Sequence, residues 1–160
     1  THVGFVPRSS FPNYDTMRQR ISQVAAVLAQ YNLQLLLETG QESATELLQF
    51  LNDLGTRNVA INFDPANMIL YGVGEPIEAI SLLLPKVVHC HMKDATWSDK
   101  PGQTWGEDVV LGTGQADIPR LVSKMRAGGY KGPLVIEREA GDTRLADVQE
   151  AVRLLRSLVG

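Results

Sequence analysis

The chain is short of several things that would have placed it quickly. It has one cysteine, Cys90, so no intrachain disulfide staples it, which suits a reducing, cytoplasmic compartment. It has no cluster of Lys or Arg, and a formal net charge of −3. That balance argues against nucleic acid or an anionic membrane as the main partner. No apolar run approaches the roughly 20 residues of a membrane-spanning helix, and no leader pattern is seen. No glycine-rich phosphate loop follows an early strand, which removes the usual mark of a flat, doubly wound nucleotide-binding sheet. What remains is 160 residues with 44% apolar content, enough for one domain with a real core. The chain starts at Thr1 and runs at once into a strand-like segment, as the C-terminal piece of something longer would.

What the sequence does have is a rhythm. Short apolar runs at 33–38 (LQLLLE), 58–64 (NVAINFD), 86–91 (KVVHCH) and 133–137 (PLVIE) each end in a residue of metal-binding type, and a helical pattern follows each. A further strand is expected at Val3–Val6. Helices are expected from an Asp15 N-cap to about Tyr31, closed by Asn32, and from a Ser43 cap to Gly55. Others are expected at Pro76–Leu84, from an Asp117 cap to Ala127, and from about Arg144 to Leu158. Met17, Ile21, Val24, Val27, Leu28 and Phe50 read as core. Residues 94–116 read as a long loop containing Trp97, Trp105 and several glycines.

Five strands alternating with five helices imply a parallel sheet with right-handed crossovers. Polar residues at successive strand ends favour a (β/α)8 TIM barrel, whose sites gather at the C-terminal ends of its strands. Five strands cannot close such a barrel, so the reading is a partial one, over 1–160. Either three N-terminal units are missing or two chains complete each other. Exposed sheet edges then predict a homo-oligomer.

Parallel strands bring their C-terminal ends to one face, so Glu38, Asp64, His91 and Glu137 are expected to meet there. Alternation places Asn62 with Asp64, and His89 and Lys93 with His91, on the inner face; Val88, Cys90 and Met92 turn to the helices. Three carboxylates and an imidazole suit one divalent ion: Mn²⁺ or Mg²⁺, with Co²⁺ or Zn²⁺ also compatible. Glu38 and Glu137, flanking a bound hydroxy-ketone, could move a proton to and from carbon next to the carbonyl. His89 reads as an interior hydrogen-bonding residue. Lys93 and Asp94 read either as a salt bridge at the barrel mouth or as substrate contacts. His2 and Arg8 are weak candidates.

The motifs LLLETG, NFDPANM, HCHMKDA, LGTGQADI and PLVIERE, in that order, resemble the xylose isomerase-like barrels, in particular the sugar phosphate isomerase/epimerase branch. The resemblance covers nearly the whole chain and matches strands four to eight. It implies that Glu38, Asp64, His91 and Glu137 bind one metal ion, that Glu38 and Glu137 are the catalytic acid/base pair, and that the substrate is a small sugar or polyol. In related ketose 3-epimerases a His three positions after the metal Asp touches substrate; Asn67 stands there. Trp97 replaces the Arg expected six positions after the metal His. The substrate-binding set expected here is therefore Asn67, Lys93, Asp94 and Trp97. An inositol-catabolism-type dehydratase or lyase on the same site, and a half barrel that folds without activity, are the alternatives. The related endonuclease IV needs a His after the metal Asp and an Asp-x-His pair, which this chain lacks.

Overall fold

The computed structural model describes Thr1 and residues 6–160. The strand expected at Val3–Val6 falls, except for Val6, outside the described residues, as does His2. Helix α1 spans Tyr14–Ala29, β1 Leu35–Glu38, α2 Ala44–Leu54, β2 Val59–Phe63, α3 Pro65–Tyr71 and α4 Pro76–Leu83. After a single 3-10 turn at Leu84–Lys86 come β3 (Val87–Met92), β4 (Asp94–Thr96), β5 (Glu107–Val109), α5 (Ile118–Ala127), β6 (Leu134–Ile136) and α6 (Arg144–Val159). Strands β1, β2, β3 and β6 form one parallel sheet in that order; β4 and β5 form a separate antiparallel hairpin. This is an α/β fold, part of a TIM barrel.

Local chemistry sets these elements. Ser43 and Glu46 form a reciprocal capping box that opens α2, and Gly55 closes it in the left-handed conformation. Leu47, Phe50 and Leu51 then face the core, with Phe50 fully buried, a burial that stabilises by about 2–3 kcal/mol. Strand β2 is buried along its whole length, as the middle of a sheet covered on both faces should be. In α1 the buried stripe is Tyr14, Ile21 and Ala25, while Val24 and Val27 are exposed, so the apolar face is narrower than the sequence suggested. Asp15 does not cap α1. Asn13 occupies that position, and Asp15 sits in the first turn bonded to Arg18. Thr1 lies along β1: its N-terminus donates to Leu36 O, and its carbonyl accepts from Glu38 N.

Three departures from the expected pattern matter for the site. The stretch after Asp64, read as loop, is a helix (α3), because Asp64 caps it and Pro65 pre-sets its first turn. Among the described residues the chain therefore has six helices rather than five. Between β2 and β3 the register jumps from Ile61↔Val87 to Asn62↔His89, leaving Val88 as a bulge. Val88 is consequently exposed rather than under the helices, and Val87 takes the buried place. The long loop contains the β4–β5 hairpin.

One side chain organises that loop. Both oxygens of buried Asp94 accept backbone N–H groups: Oδ1 from Ala95 (2.9 Å) and Ala116 (3.0 Å), Oδ2 from Gly112 and Gly114 (2.9 Å each). Gly114 passes so close to this carboxylate that a Cβ there would collide with it. On the far side Arg138 joins Asp147 (Nε to Oδ2, 2.9 Å) to Asp108 of the hairpin, and Asp108 accepts Glu139 N (3.1 Å). Replacing Asp94 by Asn leaves two of the four N–H groups facing an amide instead of an acceptor. Asp94→Asn should lower stability by about 2–4 kcal/mol in urea unfolding, with faster amide exchange at Gly112 and Gly114; an unchanged midpoint would refute this role.

Candidate metal centre

Asp64 ends β2, and the two oxygens of its carboxylate have different surroundings. Oδ1 caps α3, accepting Ala66 N at 2.8 Å and Asn67 N at 3.1 Å. Oδ2 is buried and has no hydrogen-bond partner. The main chain of Asp64 is held as well: Thr39 Oγ1 donates to its carbonyl at 2.8 Å and accepts its N–H at 2.7 Å. A capping residue is thus locked with one oxygen pointing into the barrel mouth.

The strand ends bring Glu38, His91 and Glu137 to that oxygen. One ligand atom from each of the four residues lies within 4.8 Å of the others. His91 Nδ1 stands 3.2 Å from Glu38 Oε1, 3.4 Å from Glu137 Oε2 and 3.8 Å from Asp64 Oδ2. The Asp64 side chain is sealed (0% exposed) and Glu137 is the most open (31%), so the cluster faces outward past Glu137. Two carboxylates about 4 Å apart repel by roughly 4 kcal/mol at an effective dielectric of 20, so three of them need positive charge among them. His91 supplies some: the Asp64 carboxylate, then Glu38, hold its imidazole protonated up to about 10. Burial is the largest influence on Asp64 itself and raises its pKa.

These donors fit a divalent ion. An octahedral ion with bonds of about 2.1 Å spaces its ligands roughly 3–4.2 Å apart, so closure asks for side-chain shifts of a few tenths of an ångström. The orphaned Oδ2 is the atom such an ion would satisfy. Three oxygens and one nitrogen are a hard set, and four protein ligands leave two octahedral positions open.

The next layer is polar and ordered. Asn67 Nδ2 donates to Glu38 Oε1 and to Thr39 O, both at 3.1 Å. Its amide N–H groups therefore orient Glu38. Asn62 Nδ2 lies 3.2 Å from His91 Nε2, and Asn62 Oδ1 accepts from His89 Nδ1 at 2.8 Å. His89 is thus tied into the interior, and burial lowers its pKa.

Lys93 lies between β3 and β4 and Asp94 opens β4; the two bond to different partners, so among the described residues they form no salt bridge. Lys93, almost fully buried, donates to Glu137 at 3.2 Å and to Glu139. Burial works against its charge, but the carboxylates of Glu139, Asp64 and Glu137 raise its pKa on balance. Asp94 faces the glycine turn, with all its acceptors committed there. Trp97 stands on the wall of a cavity at the hairpin. Arg8 is far from chemistry, paired at the surface with Glu46 at 2.8 Å.

Sequence reasoning gave no role to Glu139, Tyr71 or Glu42. Glu139 shares the alternation of Glu137, a usable signal. Tyr71 is two helical turns from Asp64, a signal hidden by reading α3 as loop. Glu42 is a buried carboxylate whose pKa is raised by that burial, and its surroundings (TGQES) read as an ordinary solvated turn.

Comparison with known proteins agrees with this architecture. A xylose isomerase domain protein from Planctomyces limnophilus superposes over 98% of the chain with a TM-score of 0.92 and 42% identity; the chain covers 56% of that protein. A xylose isomerase-like TIM barrel protein from Mycobacterium smegmatis, solved in complex with magnesium, shares the fold (TM-score 0.77, 19% identity) over 97% of this chain and 53% of its own. A curated relative, 3-oxo-isoapionate decarboxylase from Pectobacterium atrosepticum, is 29% identical over 118 residues, 72% of this chain and 42% of the relative. The chain thus spans about half the length of the proteins it matches. The xylose isomerase-like TIM barrel family matches residues 1–158, and the chain belongs to that family.

Proposed function

We propose that this chain carries the metal-binding, proton-transferring half of a sugar isomerase or epimerase site. The observation that carries the reading is the buried Asp64 Oδ2, without a hydrogen bond, at the meeting point of Glu38, His91 and Glu137. A divalent ion there would polarise a substrate carbonyl and the hydroxyl beside it. The acid/base work falls to the two glutamates. Glu38 is steadied by Asn67, and Glu137 by Lys93, so both carboxylates are aimed from opposite neighbours toward one centre. One takes a proton from carbon next to the carbonyl and the other returns it. Return to the other face of the same carbon gives an epimer; return to the adjacent carbon gives an isomer.

A second reading is loss of carbon dioxide from a 3-oxo sugar acid, favoured by the name of the curated relative. It builds negative charge at the same carbon and needs the same electrophile, and the products separate the two. Loss of water from a polyol ketone, the dehydratase alternative, is separated in the same way.

Two outcomes test the proposal. With Mn²⁺ present, solvent deuterium should enter the carbon beside the carbonyl of a ketose, seen by NMR, and Glu137→Gln should slow this by about 10²–10⁴-fold. A folded, Mn²⁺-binding chain that exchanges nothing across a broad ketose panel would match the inactive half barrel instead. The second outcome concerns pH. Because His91 holds its proton up to about 10, that proton must leave before the ring can ligate. Calorimetric Mn²⁺ affinity should therefore tighten about tenfold per pH unit from 7 to 9, with about one proton released; a flat profile would contradict it.

A further inference from the structure

The β4–β5 hairpin shapes an open cavity of about 540 Å³ that the chemistry above leaves unused. Its size is within the range of small-molecule sites. Thr96, Trp97, Asp99, Lys100, Trp105 and Glu107 line it. Trp105 is 71% exposed, a large apolar surface left in solvent. Yet it is held firmly: it meets the Tyr71 ring edge-on, with centroids 5.2 Å apart. The next residue, Gly106, donates to Leu70 O at 2.9 Å, and a Cβ on Gly106 would strike Thr96 O. Among the described residues Asp99, Lys100 and Glu107 form no ion pair, although they share this wall.

A fixed, exposed indole beside unpaired carboxylates and an ammonium is the chemistry that recognises a sugar ring. The C–H face of the ring lies on the aromatic, and its hydroxyls reach the charged groups. One helix relates the cavity to the cluster, because Trp105 packs on Tyr71. Tyr71 ends the helix that Asp64 caps, seven residues and about 10 Å of helix away. Burial is the largest influence on its phenol, and the charges of Lys93, Glu139, Asp64 and Glu38 all act on it.

We propose that the hairpin cavity is a subsite for a second sugar ring, so that the substrate is a glycoside or disaccharide whose keto ring lies at the Glu38–Asp64–His91–Glu137 cluster while its neighbour stacks on Trp105. The proposal rests on the reading of that cluster as a sugar site. Trp105 is exposed enough to be replaced without unfolding, which circular dichroism checks. Saturation-transfer NMR with Mg²⁺ present should detect at least one of maltose, cellobiose and trehalose. Trp105→Ala should weaken that binding about tenfold, and Trp105→Phe should restore part of it. No transfer to any of the three, or equal affinity in Trp105→Ala, overturns the subsite. Mg²⁺ calorimetry on the same sample keeps the two ideas apart: an ion bound without any disaccharide sinks only the subsite. A Trp105-dependent disaccharide without a bound ion upholds the subsite and sinks the metal reading.

Discussion

The site depends on how one carboxylate is divided. Asp64 ends the most buried strand of the sheet, and α3 starts on its Oδ1. That fixes the side chain so firmly that Oδ2 is left without a hydrogen bond, facing His91 at 3.8 Å. A buried polar oxygen left unpaired costs about 1–3 kcal/mol, more if charged, and a fold that places one beside two further carboxylates raises the cost again. His91 and Lys93 offset part of this. A divalent ion is the group that would satisfy all of it at once. Helix capping and ligand orientation are therefore one event: whatever disturbs α3 also disturbs the cluster.

The rim is built by the same device used twice more. Asp94 gathers four backbone N–H groups of its loop, and Asp108 links the hairpin through Arg138 to α6. These carboxylates are spent on the backbone, which frees none of their oxygens for a ligand but stiffens the wall beside the cluster. Lys93 and Asp94 show the division at its sharpest. They are adjacent in sequence, yet one reaches the Glu137 carboxylate and the other the glycine turn.

Much of this was legible beforehand because it depends on period and on strand ends. The four parallel strands and the convergence of Glu38, Asp64, His91 and Glu137 follow from apolar runs that stop at a ligand-type residue, and the Ser43 cap from a Ser before a helical pattern. Other features were hidden because one residue carries two signals. Asp64 and Pro65 open a helix, but an Asp at a strand end carries a ligand signal as well, which masks α3 and Tyr71 at its end. The bulge at Val88 reverses the strand's alternation for a single residue, which no period reveals. Asn67 and Asp94 looked like substrate contacts because their polar groups sit near the site. Only three-dimensional packing shows the Asn67 Nδ2 bonded to Glu38 and the Asp94 carboxylate bonded to the loop.

Anomalous diffraction at the manganese edge from crystals soaked in Mn²⁺ tests the central claim most directly. The account predicts one strong peak about 2.2 Å from Asp64 Oδ2, shared with Glu38, His91 and Glu137. A folded crystal with no peak there, or with Mn²⁺ bound only at other carboxylates, would contradict it.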